Sequence, residues 1–173
     1  MRKTLTTTAV VLLLAGCSNA TSSSSSTAAN APASQAPAAP RKTPVTADQA
    51  LAAISKTVTT TAKPIVVTAE NDRNHLLGRP GQYTSKVMFT DTRIKASDVD
   101  GLNPDDVERG GGIEVFANAA DAKARADYIQ SVVKNMPMVM EYDYPHGDVV
   151  VRVSKFLTPD QAAAYNEAAA ALG

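Results

Sequence analysis

The chain has 173 residues, with 17 Lys or Arg against 17 Asp or Glu and a single cysteine. A formal net charge of zero leaves no basic footprint for nucleic acid, and a lone thiol leaves no disulfide within the chain. Without Arg2 and Lys3 the balance is 15 bases to 17 acids, a net of −2, so loss of a leader does not change that conclusion.

Arg2 and Lys3 are followed by an apolar run from Ala9 to Ala15, the layout of a secretory signal. The run is seven residues long, and a spanning helix needs roughly 20. No transmembrane helix is therefore expected. Leu14-Ala15-Gly16-Cys17 resembles the lipobox of bacterial lipoproteins. That resemblance implies diacylglyceryl transfer to the Cys17 sulfur and cleavage before Cys17, so residues 1–16 form the signal peptide. Two acyl chains anchor stably where one holds only marginally. The expected location is the cell membrane, lipid-anchored and facing outside the cytoplasm. Lipidation of Cys17 also takes the only thiol, removing thiol catalysis and thiolate–metal sites.

Residues 18–45 are mostly Ser, Thr, Ala, Pro and Asn, including an unbroken Ser22 to Ser26. This composition buries too little apolar surface to fold. Cys17 and the segment to residue 45 are read as a lipidated, disordered tether spanning roughly 30 Å. Residues 46–173 are the size of one ordinary domain.

Thr46-Ala47-Asp48-Gln49 has the form of a capping box, and Ala50, Leu51, Ile54 and Val58 follow at helical spacing. A helix is expected over 47–58. Residues 65–68 read as a short strand at most, after Pro64. Residues 82–91 alternate: Tyr83, Ser85, Val87 and Phe89 share one face, and Thr84, Lys86, Met88 and Thr90 the other. This is the pattern of a half-buried strand. A polar loop is expected over 94–112 and a strand over 113–117. Asn118 caps a helix with a stripe of Ala122, Ala126, Ile129 and Val133, ending before Pro137. Strands at 138–144 and 149–154 flank the turn Pro145-His146-Gly147-Asp148. Thr158-Pro159-Asp160-Gln161 starts a final helix over 159–172. The expected order is α-ββ-α-ββ-α. The fold class is α+β, with a mostly antiparallel four-stranded sheet and helices on one face.

Catalytic and metal signals are sparse. His75 and His146 are the only histidines, and neither lies near a recognisable nucleophile motif. The acid-rich run Asp98 to Glu108 places glycine fourth and Arg109 twelfth. An EF-hand needs glycine sixth and Glu twelfth. Asp72-Arg73-Asn74 is a shorter partial match that continues into Leu76. Gly110-Gly111-Gly112 precedes a strand and lacks a phosphate-loop pattern, so it reads as a hinge or a point of close backbone approach. In Glu141-Tyr142-Asp143-Tyr144 the two rings share a strand face and are expected under the helices. No catalytic residue, metal or cofactor is assigned.

The segment 71–86 mixes turn formers, charges and two leucines ahead of a strand. As a recognition loop it would offer Asn71, Asp72, Asn74, Arg79 and Tyr83 to a partner. As an ordered connector it would plug the core with Leu76 and Leu77. Asn71-Asp72-x-Asn74-x-Leu76-Leu77-Gly78-Arg79-Pro80, with Tyr83 and Phe89, resembles small lipoproteins of actinobacteria and related Gram-positive bacteria. The similarity continues through Gly112-Ile113-Glu114-Val115-Phe116, Arg125 to Ile129, Glu141 to Tyr144 and Leu157-Thr158-Pro159-x-Gln161. It covers about residues 65–170. The group carries no assigned activity, so the resemblance implies only a Gram-positive envelope. The functional expectation is a non-enzymatic, membrane-anchored binding domain whose partner is an envelope protein or polymer. Alternatives are an envelope enzyme using Asp, Glu or His of the polar loops, a structural envelope component, and an exclusion lipoprotein encoded by a phage or mobile element.

Overall fold

A computed structural model describes residues 45–172; the expected signal peptide, Cys17 and nearly all of the expected tether lie outside the described residues. The first helix, α1 (Ala47–Ile54), starts where the capping box places it, with the Gln49 side chain accepting from the Thr46 amide at 3.1 Å. It ends short of residue 58. The Ser55 hydroxyl donates to the Leu51 carbonyl and the Thr57 hydroxyl to that of Ile54, the competition with backbone pairing expected of such side chains. Val58 is buried beyond the helix end.

A strand absent from the four expected follows, β1 (Thr61–Val66). The strands β2 (Ser85–Asp91) and β3 (Gly110–Val115), the helix α2 (Ala119–Asn135), the hairpin β4 (Glu141–His146) and β5 (Val149–Ser154), and the helix α3 (Pro159–Ala170) complete the fold. The order is α-βββ-α-ββ-α. Among the described residues the strands form one antiparallel five-stranded sheet, ordered β1-β2-β3-β5-β4. The α+β class stands, and the strand number is corrected from four to five. Pro64 misleads because a strand proline is tolerated at an edge, where its missing N–H is harmless. β1 is such an edge, and its register shifts between Ala62 and Ile65, around Lys63 at φ +47°.

The helices do not share one face, contrary to expectation. α1 and α3 cover the face carrying Val87, Phe89, Ile113, Val115, Val149, Val151 and Val153. Phe89 stacks on Tyr165 of α3 at 5.5 Å, and the Tyr165 hydroxyl donates to buried Asp91 at 2.6 Å. Tyr142 and Tyr144 pack half-buried on this side, as expected. α2 covers the opposite face, where Tyr83, Phe116, Ala122, Ala126 and Val150 form a second cluster. Alternation therefore misleads for β2: its second face, with Lys86 and Met88, is buried as well. The strand expected from 138 starts at Glu141, after a short helical turn at Pro137–Val139 that leaves Met138 and Met140 exposed.

Gly110, Gly111 and Gly112 are buried inside β3, so they form no hinge. A Cβ at Gly111 would lie 2.4 Å from the Arg152 carbonyl oxygen and 2.6 Å from the Phe89 ring. At Gly112 it would meet the flexible Met88 thioether, with sulfur at 2.7 Å. Gly111→Ala is expected to destabilise the domain by about 3 kcal/mol, and Gly112→Ala by clearly less, because a thioether yields and a backbone carbonyl does not. Urea unfolding midpoints of the two variants check this order.

Candidate functional site

α2 begins with Asn118, whose side chain accepts from the Asp121 amide at 2.9 Å. Its buried stripe is Ala122, Ala126 and Ile129, with Val133 half-buried. Ile129, Val132, Val133 and exposed Tyr128 form one wall of a cleft of about 740 Å³. The connector 67–82 and the segment 105–108 form the others, and Met88, Lys86, Arg125, Glu141 and Arg152 lie at its base.

Beneath this base lies Glu114, whose side chain has no exposure to solvent. Lys86 Nζ approaches it at 3.0 Å, Arg125 Nε at 2.9 Å and Arg152 Nη1 at 3.1 Å. Burial alone would raise the Glu114 pKa, but Arg152, Lys86 and Arg125 outweigh it and hold the group at about 2. Burial lowers the Lys86 pKa, opposed by Glu114 and reinforced by the two guanidinium groups. Arg152 also grips Glu141 through Nε and Nη2, both at 2.9 Å.

Asp143 stands two residues along the same strand face. Gln130 donates to its Oδ2 at 2.6 Å, whereas Oδ1 is buried without a hydrogen-bond partner, 3.9 Å from Arg152 Nε. Burial and mutual repulsion raise the pKa of Glu141, to about 7, although Arg152 pulls it down. Burial likewise raises that of Asp143, against Gln130 and Arg152.

The expected contact residues separate into two groups. Asp72 is buried and accepts from the amides of Asn74 at 3.2 Å and of Leu76 and Leu77 at 2.8 Å. It also accepts from the Tyr83 hydroxyl at 2.7 Å. These hydrogen bonds overcome burial and keep its pKa low. Tyr83 is fully buried, edge-on to Phe116 at 6.4 Å, so it is a core residue and offers no surface to a partner. Its hydroxyl pKa is raised by that burial and by Asp72. Leu76 and Leu77 pack on the second cluster, as an ordered connector requires. Asn71, Asn74 and Arg79 are exposed. Asn71, Asp72 and Asn74 border the cleft, and Arg79 lies away from it. Asn71 also closes its own turn, accepting from the Thr68 amide and donating to the Val66 carbonyl.

The polar loop is tied internally. Arg73 reaches Asp105 at 3.1 Å and Asp106 at 2.5 Å, and Arg109 donates to the carbonyls of Val99, Leu102 and Asn103. Among the described residues no three or more His, Cys, Asp or Glu gather as metal ligands. His75 is exposed, and His146 Nε2 sits 2.8 Å from Oδ1 of Asn166 on α3. No helix among the described residues is long and apolar enough to cross a membrane.

Sequence patterns do not single out Lys86, Glu114, Arg125, Glu141, Asp143 or Arg152 as a group. The available signal was Glu114 set between Ile113 and Val115 in an otherwise apolar strand, where a charge is either a solvated face or a buried pair. In comparisons with known proteins, no family model, curated protein or solved structure matches this chain.

Glu114→Gln leaves buried Lys86 and Arg125 without a carboxylate partner and should destabilise the domain by about 3–5 kcal/mol in urea unfolding. The folded state binds more protons at Glu141 than the unfolded chain between pH 4.5 and about 7. Stability should therefore fall as pH rises through that window. Glu141→Gln should flatten this slope when unfolding is measured at pH 5, 6, 7 and 8.

Proposed function

We propose that this chain is a lipid-anchored, extracytoplasmic binding domain that holds its ligand in the cleft between α2 and the connector 67–82. The observation that carries the reading is the floor of that cleft, where Lys86, Arg125, Glu141 and Arg152 meet over buried Glu114. A buried ionic cluster is a weak source of stability compared with apolar packing. Under an open cleft it is better suited to recognition. The volume of about 740 Å³ falls within the range of ligand sites. The lipobox-like Leu14-Ala15-Gly16-Cys17 supports the membrane anchor, and the envelope supplies the partner or polymer that bears the ligand. In this reading the segment 71–86 contributes one wall through Asn71, Asp72 and Asn74, and its buried Tyr83 holds that wall in place.

A second reading is an envelope enzyme drawing on Asp105, Asp106 or Glu108, which also border the cleft. Pairing of the first two with Arg73 weighs against it, because a general acid or base must be free to exchange its proton.

Two variants test the binding reading in intact cells. Cys17→Ala should abolish palmitate incorporation and release the protein from the membrane fraction. Ala124→Trp should leave it on the membrane and block the cleft, since Ala124 is exposed on the cleft wall. Crosslinking with the native chain should capture a partner that both variants lose. Retention of that partner by Ala124→Trp would overturn the cleft assignment.

A further inference from the structure

We infer that the cleft takes a small organic monoanion with an apolar arm, its anionic group seated against Lys86 and Arg125 and its arm along Tyr128 and Val132. The inference rests on the cleft reading above. Lys86 from β2, Arg125 from α2 and Arg152 from β5 face Glu114 from β3 and Glu141 and Asp143 from β4; Gln130 of α2 is the neutral polar neighbour. Fully ionised, these six groups balance.

The geometry of Asp143 argues against full ionisation. Its Oδ1 is buried without a donor, and its side chain has no solvent exposure. Buried acceptors are almost always hydrogen-bonded. A proton shared between Glu141 and Asp143 supplies the missing donor, as in other carboxyl pairs that hold one proton between them. The raised pKa values of both groups agree. With that proton in place the cluster carries three cations and two anions. One positive charge is left over in a nearly dry site, and an uncompensated buried charge demands a partner.

The partner must come from the cleft, and the donors that would meet it are identifiable. An ammonium has three donors. Lys86 gives one to Glu114, and its side chain is only 6 % exposed, at the cleft base. Arg125 uses Nε and Nη2 on Glu114, and its guanidinium lies 5.9 Å over the ring of Tyr128. Tyr128 is 61 % exposed and leads to the aliphatic wall. The rim also carries Asp105, Asp106 and Glu108, with Arg73 paired to the first two, which leaves an excess of two negative charges. That acidic rim repels polyanions and confines the anionic contact to a single group at the base.

The test uses the full chain with Cys17→Ser, so that no attached lipid competes. Octanoate, octanol and octyltrimethylammonium are titrated by calorimetry. Octanoate should bind about tenfold or more tighter than either of the others. Its affinity should rise about tenfold between pH 8 and pH 6, with a binding heat that changes with buffer ionisation enthalpy because a proton is taken up. Lys86→Met should remove the preference for octanoate over octanol. Glu141→Gln, whose amide supplies the donor that Asp143 lacks, should abolish the pH dependence. This second variant keeps the test decisive if Lys86→Met fails to fold. Equal or tighter binding of octanol or octyltrimethylammonium, lost in Ala124→Trp, would overturn the monoanion and leave the cleft standing. No binding by any of the three would overturn both.

Discussion

Glu114 is the point on which one half of the molecule is organised. Its carboxylate joins β3 to Lys86 of β2, Arg152 of β5 and Arg125 of α2, so one buried anion ties three adjacent strands to the helix that crosses them. Removing any one partner leaves charge in a site with little access to water, which is far costlier than forming the group was beneficial. The position of α2, and hence the wall of the cleft, follows from where that carboxylate sits. The opposite face has a smaller counterpart in buried Asp91, which pairs with Arg93 and accepts from Tyr165 and Thr60. There aliphatic residues of the sheet pack on α1 and α3, and the main polar link is Tyr165 to Asp91. The two faces differ in weight: one is mostly aliphatic burial with a single buried carboxylate, the other centres on an array of six charged groups.

Much of the scaffold was legible in the residues. The Gln49 and Gln161 contacts at both helix starts, the Asn118 cap, the hairpin with Gly147 at φ +56° and the placement of Tyr142 and Tyr144 all follow from local chemistry. Local chemistry is also what failed at β1, where Pro64 is harmless only because the strand lies at an edge. Edge position is a property of the whole sheet. The same holds for β2. Alternation distinguishes its two faces, but whether the second face meets water depends on where α2 lands.

The candidate site was less legible, for a related reason. Asn71 and Asn74 border the cleft as exposed side chains, whereas Asp72, also on its lining, and Tyr83 are buried. A carboxylate, a phenol and several turn formers in one segment are equally compatible with an outward contact surface and an inward network. The decision rests on the hydrogen bond from Tyr83 to Asp72 across eleven residues. The charges of the floor come from five elements and are separated by long stretches of chain, so no spacing rule gathers them.

The glycine at position 112 gives the cleft its depth. It faces Met88 on one side and Arg152 on the other within the sheet, and the absence of a side chain lets the Met88 thioether settle into the floor. Any larger residue there would push that thioether upward into the space above. The capacity of the cleft is thus set from below, by a residue that is not itself part of its lining. Enlarging that single residue would only reduce the space above, while Lys86, Arg125, Glu141 and Arg152 stay where they are.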